Sequence, residues 1–259
     1  MTNSQAQIHP TERFSNRVHD YVKYRPGYPE EIIEFLEAEC GLHRDAIIAD
    51  VGSGTGILSE MFLKHGNHVF GVEPNDEMRQ AAEELLAGYP SFKSVKGTAE
   101  STKLEPASVN FVTAGQAFHW FNIAESRKEV RRILKPEGWV LLIWNDRKTD
   151  STPFLRAYEQ LLLDFSIDYQ QVDHKNVDET TLENFFGHNN FNLQKFQNSQ
   201  SLDFPGLRGR LLSSSYAPTK DHANYEPMLE RLSSLFEMYQ IGGQVTIEYD
   251  TNLYYGKIA

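Results

Sequence analysis

The residue types best suited to chemistry in this 259-residue chain are concentrated in one run, Asp50-Val51-Gly52-Ser53-Gly54-Thr55-Gly56. It stands between a β-branched stretch, Ile47–Val51, and a helical pattern that begins at Ile57. Glycines here permit positive φ and let a ligand lie against bare backbone. A dinucleotide turn needs G-x-G-x-x-G, whose third glycine admits close helix packing beside a pyrophosphate. In this chain Ile57 holds that third place, because Gly56 comes one residue early. The carboxylate of Asp50 is also a poor neighbour for a pyrophosphate, and it suits a ligand with ammonium and sulfonium charges. Both features favour S-adenosylmethionine over a nicotinamide dinucleotide. Glu73, at the tip of the next β run, can accept hydrogen bonds from both hydroxyls of a ribose.

Further candidates follow later strands. Gln116-Ala117-Phe118-His119-Trp120-Phe121 comes after the run Val109–Thr113, where the crevices of open α/β sheets form. Trp144, Asn145 and Arg147 follow the run Trp139–Trp144. Before the first strand, Tyr21, Tyr24, Arg25 and Tyr28 form an aromatic and cationic cluster, and the prolines of Tyr24-Arg25-Pro26-Gly27-Tyr28-Pro29 exclude an ordinary helix. Arg210, Ser213, Ser214 and Tyr216 lie in a late helical stretch. Convergence of Arg25, Arg147 and Arg210 would suit an acceptor carboxylate through bidentate hydrogen bonds.

These residues need a scaffold, and the first half of the chain supplies its rhythm. Apolar runs at Ile47–Val51, His68–Val72, Phe92–Val95, Val109–Thr113 and Trp139–Trp144 alternate with helical patterns near Ile57–Lys64, Asp76–Ala87 and Ile123–Leu134. Lys135-Pro136-Glu137-Gly138 reads as the stop between the last helix and the fifth strand. Such alternation predicts a parallel sheet covered by helices. After Arg147 we expect a helix over Pro153–Phe165, a polar and partly looped stretch, a strand over Asn192–Phe204, helix over Pro205–Tyr239 with breaks at Pro218 and Pro227, and a strand over Val245–Tyr255. The fold expected is α/β: a Rossmann-like, seven-stranded, mostly parallel sheet with helices on both faces and a helical cap inserted between the late strands. We read residues 1–259 as a single domain, with a core at 30–150, a flap at 1–29 and a cap at about 205–240.

Bulk properties narrow the function classes. The chain is 40% hydrophobic and 24% charged, as expected of a soluble globular protein. A formal net charge of −11 repels phosphate backbones, so no nucleic-acid partner is expected. Cys40 is the only cysteine, and an internal disulfide is impossible. With no bilayer-length apolar run and no secretory leader pattern, the expected location is the cytoplasm, without stable membrane association. The nine histidines form no HExxH or comparable spacing, so no metal is expected. Oligomeric state is not legible.

From Asp50 to Trp144, and more weakly from Tyr21 to Tyr28, the sequence resembles class I S-adenosylmethionine-dependent methyltransferases, particularly the small-molecule branch that includes trans-aconitate methyltransferase-like proteins. The resemblance implies that Gly52, Gly54 and nearby backbone (Ser53, Gly56) hold the methionine moiety with Asp50 close by. It implies Glu73 at the ribose and Pro74-Asn75 beside the adenine. Thr98 stands where many relatives carry Asp against the adenine amino group, and Ala99 would add a backbone N–H. Gln116 and Ala117 match the segment that closes over the sulfonium side. His119, the catalytic candidate, would orient or deprotonate the acceptor, with Trp120 shaping the pocket. Tyr21, Tyr24, Arg25 and Tyr28 would form a flap over the mouth, and Trp144, Arg147, Arg210 and Tyr216 would complete the acceptor pocket. The expected reaction is in-line methyl transfer to a small-molecule acceptor, with a carboxylate among the candidates. A binding-only module ranks second and an NAD-dependent oxidoreductase a distant third.

Overall fold

Buried parallel strands need apolar side chains on both faces, and the computed structural model, which describes residues 23–167, 169 and 178–258, arranges them so. Strands β1 (Ile47–Val51), β2 (His68–Val72), β3 (Phe92–Val95), β4 (Val109–Gly115), β5 (Leu134–Arg147), β6 (Phe191–Leu202) and β7 (Val245–Gly256) form one sheet in the order β3-β2-β1-β4-β5-β7-β6. The pairs from β3 to β5 are parallel, whereas β7 runs antiparallel to β5 and β6. This is the expected Rossmann-like architecture. Its helices are α1 (Glu31–Cys40), α2 (Ile57–His65), α3 (Asp76–Leu85), α4 (Ile123–Ile133), α5 (Pro153–Phe165), α6 (Glu179–Phe186), α7 (Phe204–Leu212) and α8 (Tyr225–Tyr239).

Strand alternation divides the core. Val140, Leu142 and Trp144 of β5 face α4 and α6 through Val130, Ile133, Phe185 and Phe186. Leu141 and Ile143 face the other way, toward Ile32 and Leu36 of α1 and Leu58 and Phe62 of α2. A third cluster joins α5, α7 and α8 to Ile247 and Tyr249 of β7, among them Leu155, Leu162, Leu207, Leu211, Met228 and Leu232. That cluster is the root of the cap, which lies between β6 and β7 as expected.

Several local expectations change. Pro227 breaks nothing, since it sits in the first turn of α8, where a missing N–H goes unnoticed. Pro218 does fall in the irregular segment between α7 and α8. The stretch read as partly loop contains α6, whose N-cap Asp178 accepts a hydrogen bond from Thr181 N. Lys135-Pro136-Glu137-Gly138 does end α4, yet it belongs to β5. The register jumps from Val109↔Leu134 to Phe111↔Trp139, and Glu137 adopts φ 65°. The four residues loop out of the ladder as a bulge. The helix α1 was not anticipated.

Candidate cofactor and acceptor site

Strand order reverses between β1 and β4, and the crevice expected at such a switch point opens at their C-terminal ends. Gly52, Gly54 and Gly56 all take positive φ, at 69°, 55° and 86°. They do different things. A Cβ on Gly52 would come within 2.6 Å of Ala117 Cβ, and one on Gly56 within 2.6 Å of Leu86 Cδ1, but Gly54 faces open space. Gly52 and Gly54 line the cavity. Gly56 does not, contrary to expectation, because its role is close packing of the turn against the end of α3.

Glu73 braces this turn from behind. Its Oε2 accepts the Gly54 N–H at 2.9 Å and its Oε1 accepts the Asn75 N–H at 2.9 Å. Each oxygen keeps a lone pair for a further donor. Burial pushes the Glu73 carboxyl upward in pKa, and the two N–H groups oppose that shift.

Asp50 is 1% exposed. The β1–β4 register sets Thr113 beside it, and Thr113 Oγ1 donates to Oδ1 at 3.2 Å while Ser59 Oγ donates to Oδ2 at 2.7 Å. Burial drives its pKa up to about 6, against the pull of both hydroxyls. Thr55 is 1% exposed, and its Oγ1 has no hydrogen-bond partner. It nevertheless lines the cavity.

The cavity, with the open solvent at its mouth, takes in about 1040 Å³. One end is built from Asp50, Gly52, Ser53, Gly54, Thr55, Ile57 and Leu58. The other is built from Arg147, Tyr169, Arg210 and Tyr216, with Arg25, Pro26, Tyr28, Gly115, Gln116 and Asn145 between them. Gln116 holds φ 58°, a strained state for a non-glycine residue that is typical of ligand sites.

Residues 23–30 strap this cavity to the cap. Tyr24 O accepts from Gln200 Nε2 at 2.9 Å, and Gly27 O accepts from Asn145 Nδ2 at 3.1 Å and Asn198 Nδ2 at 3.0 Å. Arg25 Nη2 donates to Ser213 O at 2.9 Å. The Tyr24 ring lies so close to α7 that a Cβ on Gly209 would come within 2.1 Å of it. Tyr28 reaches Gly115 with its hydroxyl. Tyr21 lies outside the described residues.

The arginines do converge: Arg25, Arg147 and Arg210 all line the cavity. Other expected residues stand elsewhere. Trp144 is 3% exposed and packs edge-on against Phe118 and Tyr254. Strand alternation sends its neighbours Asn145 and Arg147 to the cavity and Trp144 to the core. Tyr24 sits behind the wall, on Gly209. His119 and Trp120 form a short 3₁₀ turn with rings 4.8 Å apart, and neither is on the cavity wall. Ala117 spends its side chain on Gly52. Glu73, Pro74, Thr98 and Ala99 also lie off the wall, with Thr98 exposed in a tight bridge to Ser101. Sequence reasoning missed Thr55, Ile57, Leu58 and Tyr169. The first three follow the glycines directly and were open to inference, whereas Tyr169 is 22 residues from its partner Arg147.

Among the described residues no cluster of His, Cys, Asp or Glu could hold a metal, and no helix is long and apolar enough to cross a membrane.

A family model described as a methyltransferase domain matches residues 49–142, the span that builds the glycine turn and its supporting strands. Over that span the chain matches the methyltransferase-domain family. Among its relatives, an uncharacterised methyltransferase of Schizosaccharomyces pombe is 35% identical over 58% of this chain and 58% of its own length. Another, from Mycobacterium bovis, is 36% identical over 52% of each chain. The chain thus spans little more than half the length of these curated relatives. A structure assigned as a type II methyltransferase from Anaeromyxobacter dehalogenans superposes with a TM-score of 0.69, covering 90% of this chain and 98% of that one at 18% identity. The residues present fit S-adenosylmethionine: a glycine open to the cavity, an unpartnered buried hydroxyl at Thr55, and a carboxylate suited to a cationic ligand.

Proposed function

We propose that this chain transfers a methyl group from S-adenosylmethionine to a small-molecule acceptor carrying a carboxylate. The observation that carries the reading is a single cavity with the glycine turn at one end and guanidinium groups at the other. Gly52, Gly54 and Thr55 would hold the methionine moiety, with Asp50 near its ammonium and Glu73 at the ribose. When bound, S-adenosylmethionine would supply an electrophilic methyl group for an acceptor oxygen, with the thioether S-adenosylhomocysteine as the leaving group.

The protein's part is alignment and exclusion of water. Correct orientation is worth about 7–11 kcal/mol in general, more than the roughly 3–5 kcal/mol that general-base help adds. Cation and carboxylate neutralise one another along the reaction, so a dry cavity favours the products. A carboxylate is already deprotonated at neutral pH and needs no base, in keeping with His119 standing off the cavity wall. A net charge of −11 supports a small acceptor over a phosphate backbone.

Calorimetric titration with S-adenosylmethionine comes first, followed by radiolabelled methyl transfer to small carboxylic acids, phenols, amines and lipids. Binding plus label in an ester is the expected result. Absence of binding overturns the donor assignment, and transfer confined to phenols or amines overturns the acceptor assignment.

A further inference from the structure

The cavity arginines are not electrostatically equivalent. Arg147 donates through Nη2 to Glu159 on α5 and to Tyr169 Oη at 2.9 Å. The Tyr169 hydroxyl in turn donates to Glu159 Oε2 at 2.9 Å. The Arg147 guanidinium also stands 5.2 Å from the Tyr158 ring centroid. Its charge is cancelled by Glu159 before any ligand arrives. Arg25 is half-buried and is committed to the strap, which it ties to Ser213.

Arg210 is different. It is 7% exposed, with Nε donating to Tyr249 Oη at 3.2 Å and Nη1 to Ser214 Oγ at 3.2 Å. Both partners are neutral, and among the described residues no carboxylate pairs with it. Tyr249 is held in the accepting role because its own hydroxyl donates to Gln200 Oε1 at 3.3 Å. A buried guanidinium without a counter-charge is costly, and among the described residues the open route to neutralisation is through the cavity it lines.

We infer that the acceptor end accommodates one negative charge, anchored by Arg210, and that Glu159 is a specificity-determining residue which, by cancelling Arg147, refuses a second carboxylate. The inference rests on the carboxylate-acceptor reading and narrows it from carboxylates in general to monoanions. A second carboxylate near Arg147 would displace Glu159 or meet its charge at close range, and like-charge contact in a partly dry site is strongly unfavourable.

The test compares crotonate and fumarate, four-carbon unsaturated acids with one and two carboxylates, binding to the chain saturated with S-adenosylhomocysteine. Ligand-observed NMR gives both dissociation constants. The unsubstituted chain is expected to prefer crotonate by at least about tenfold, and Glu159→Gln to move that ratio at least about tenfold toward fumarate. The double variant Glu159→Gln/Arg147→Gln restores the charge count and with it the original ratio. Arg210→Gln is expected to lose both acids while keeping S-adenosylhomocysteine affinity within about twofold.

A ratio unmoved by Glu159→Gln, or one that the double variant fails to restore, overturns the inference. So does fumarate preference in the unsubstituted chain, or loss of S-adenosylhomocysteine in Arg210→Gln. If neither acid binds a chain that does bind S-adenosylhomocysteine, the carboxylate reading itself fails. Binding of both acids with an unmoved ratio leaves that reading intact and removes only the monoanion restriction.

Discussion

Burial carries the Asp50 carboxyl up to about 6 from an ordinary value of 3.8, and two measurements follow from the sign of that shift. Asp50 must be ionised to favour a cationic ligand, so S-adenosylmethionine affinity is expected to weaken as pH falls below about 6. Flat affinity between pH 5 and 8 would remove Asp50 from the ammonium site. Stability runs the opposite way. The folded chain holds this proton more tightly than the unfolded chain, so Asp50 favours folding at low pH. That contribution disappears as pH rises from about 4 to about 6, a loss of about 3 kcal/mol. Thermal melts of the ligand-free chain should show it as a fall relative to Asp50→Asn across that window, and parallel curves would refute it. For His119, a proton-transfer role would cost about 10²–10⁴ in turnover on removal. With the side chain off the cavity wall, His119→Ala is expected to stay within about tenfold on a carboxylate acceptor. At this scale the sequence was most legible where chemistry and local geometry coincide. Asp50, Gly52 and Gly54 reach the cavity directly, while Gly56 and Trp144 are diverted into packing by α3 and by strand alternation. The Glu159–Arg147–Tyr169 triangle was not legible, because its members come from three separate segments.

Elements were legible where one period dominates. The runs of β1, β2, β3 and β4 are short, apolar and bounded by turn residues, and α4 and α5 carry strong amphipathic patterns. Misreadings arose where a local breaker was overruled by its position. Pro227 sits where no N–H is needed, and Lys135–Gly138 is absorbed as a bulge between two paired stretches of β5. The strap is the element whose importance is purely tertiary. Its hold on α7 depends on Gly209, which has no side chain to oppose Tyr24. Gly209→Ala is expected to lift the strap, costing about 1–3 kcal/mol by overpacking. Trypsin should then cut faster at Lys23, and the acceptor KM should rise. Unchanged proteolysis would show that Tyr24 simply moves aside.

The whole molecule places an electropositive acceptor end inside an acidic body of net charge −11. An anionic acceptor approaching from solvent meets the long-range field first and the arginines last. Salt screens the former far more than the latter. Raising ionic strength from about 0.01 to 0.15 M should therefore increase kcat/KM for an anionic acceptor by a few-fold. A decrease would place the dominant field at the cavity mouth.

Donor and acceptor ends also differ in what they are made of. The donor end comes largely from main chain and small residues within a single turn and the helix that follows, braced by Glu73 from the adjacent strand. The proposed acceptor end is made of side chains drawn from the strap, the end of β5, the segment after α5 and the cap. Across generations these two halves drift under different rules. On the proposed reading, exchanging one cap side chain would alter what is methylated and leave the methyl source untouched, whereas an added side chain at Gly52 would collide with Ala117 and disturb the turn on which both depend. Descendants of such a protein are thus expected to diverge in the molecules they modify long before they diverge in the reagent they use.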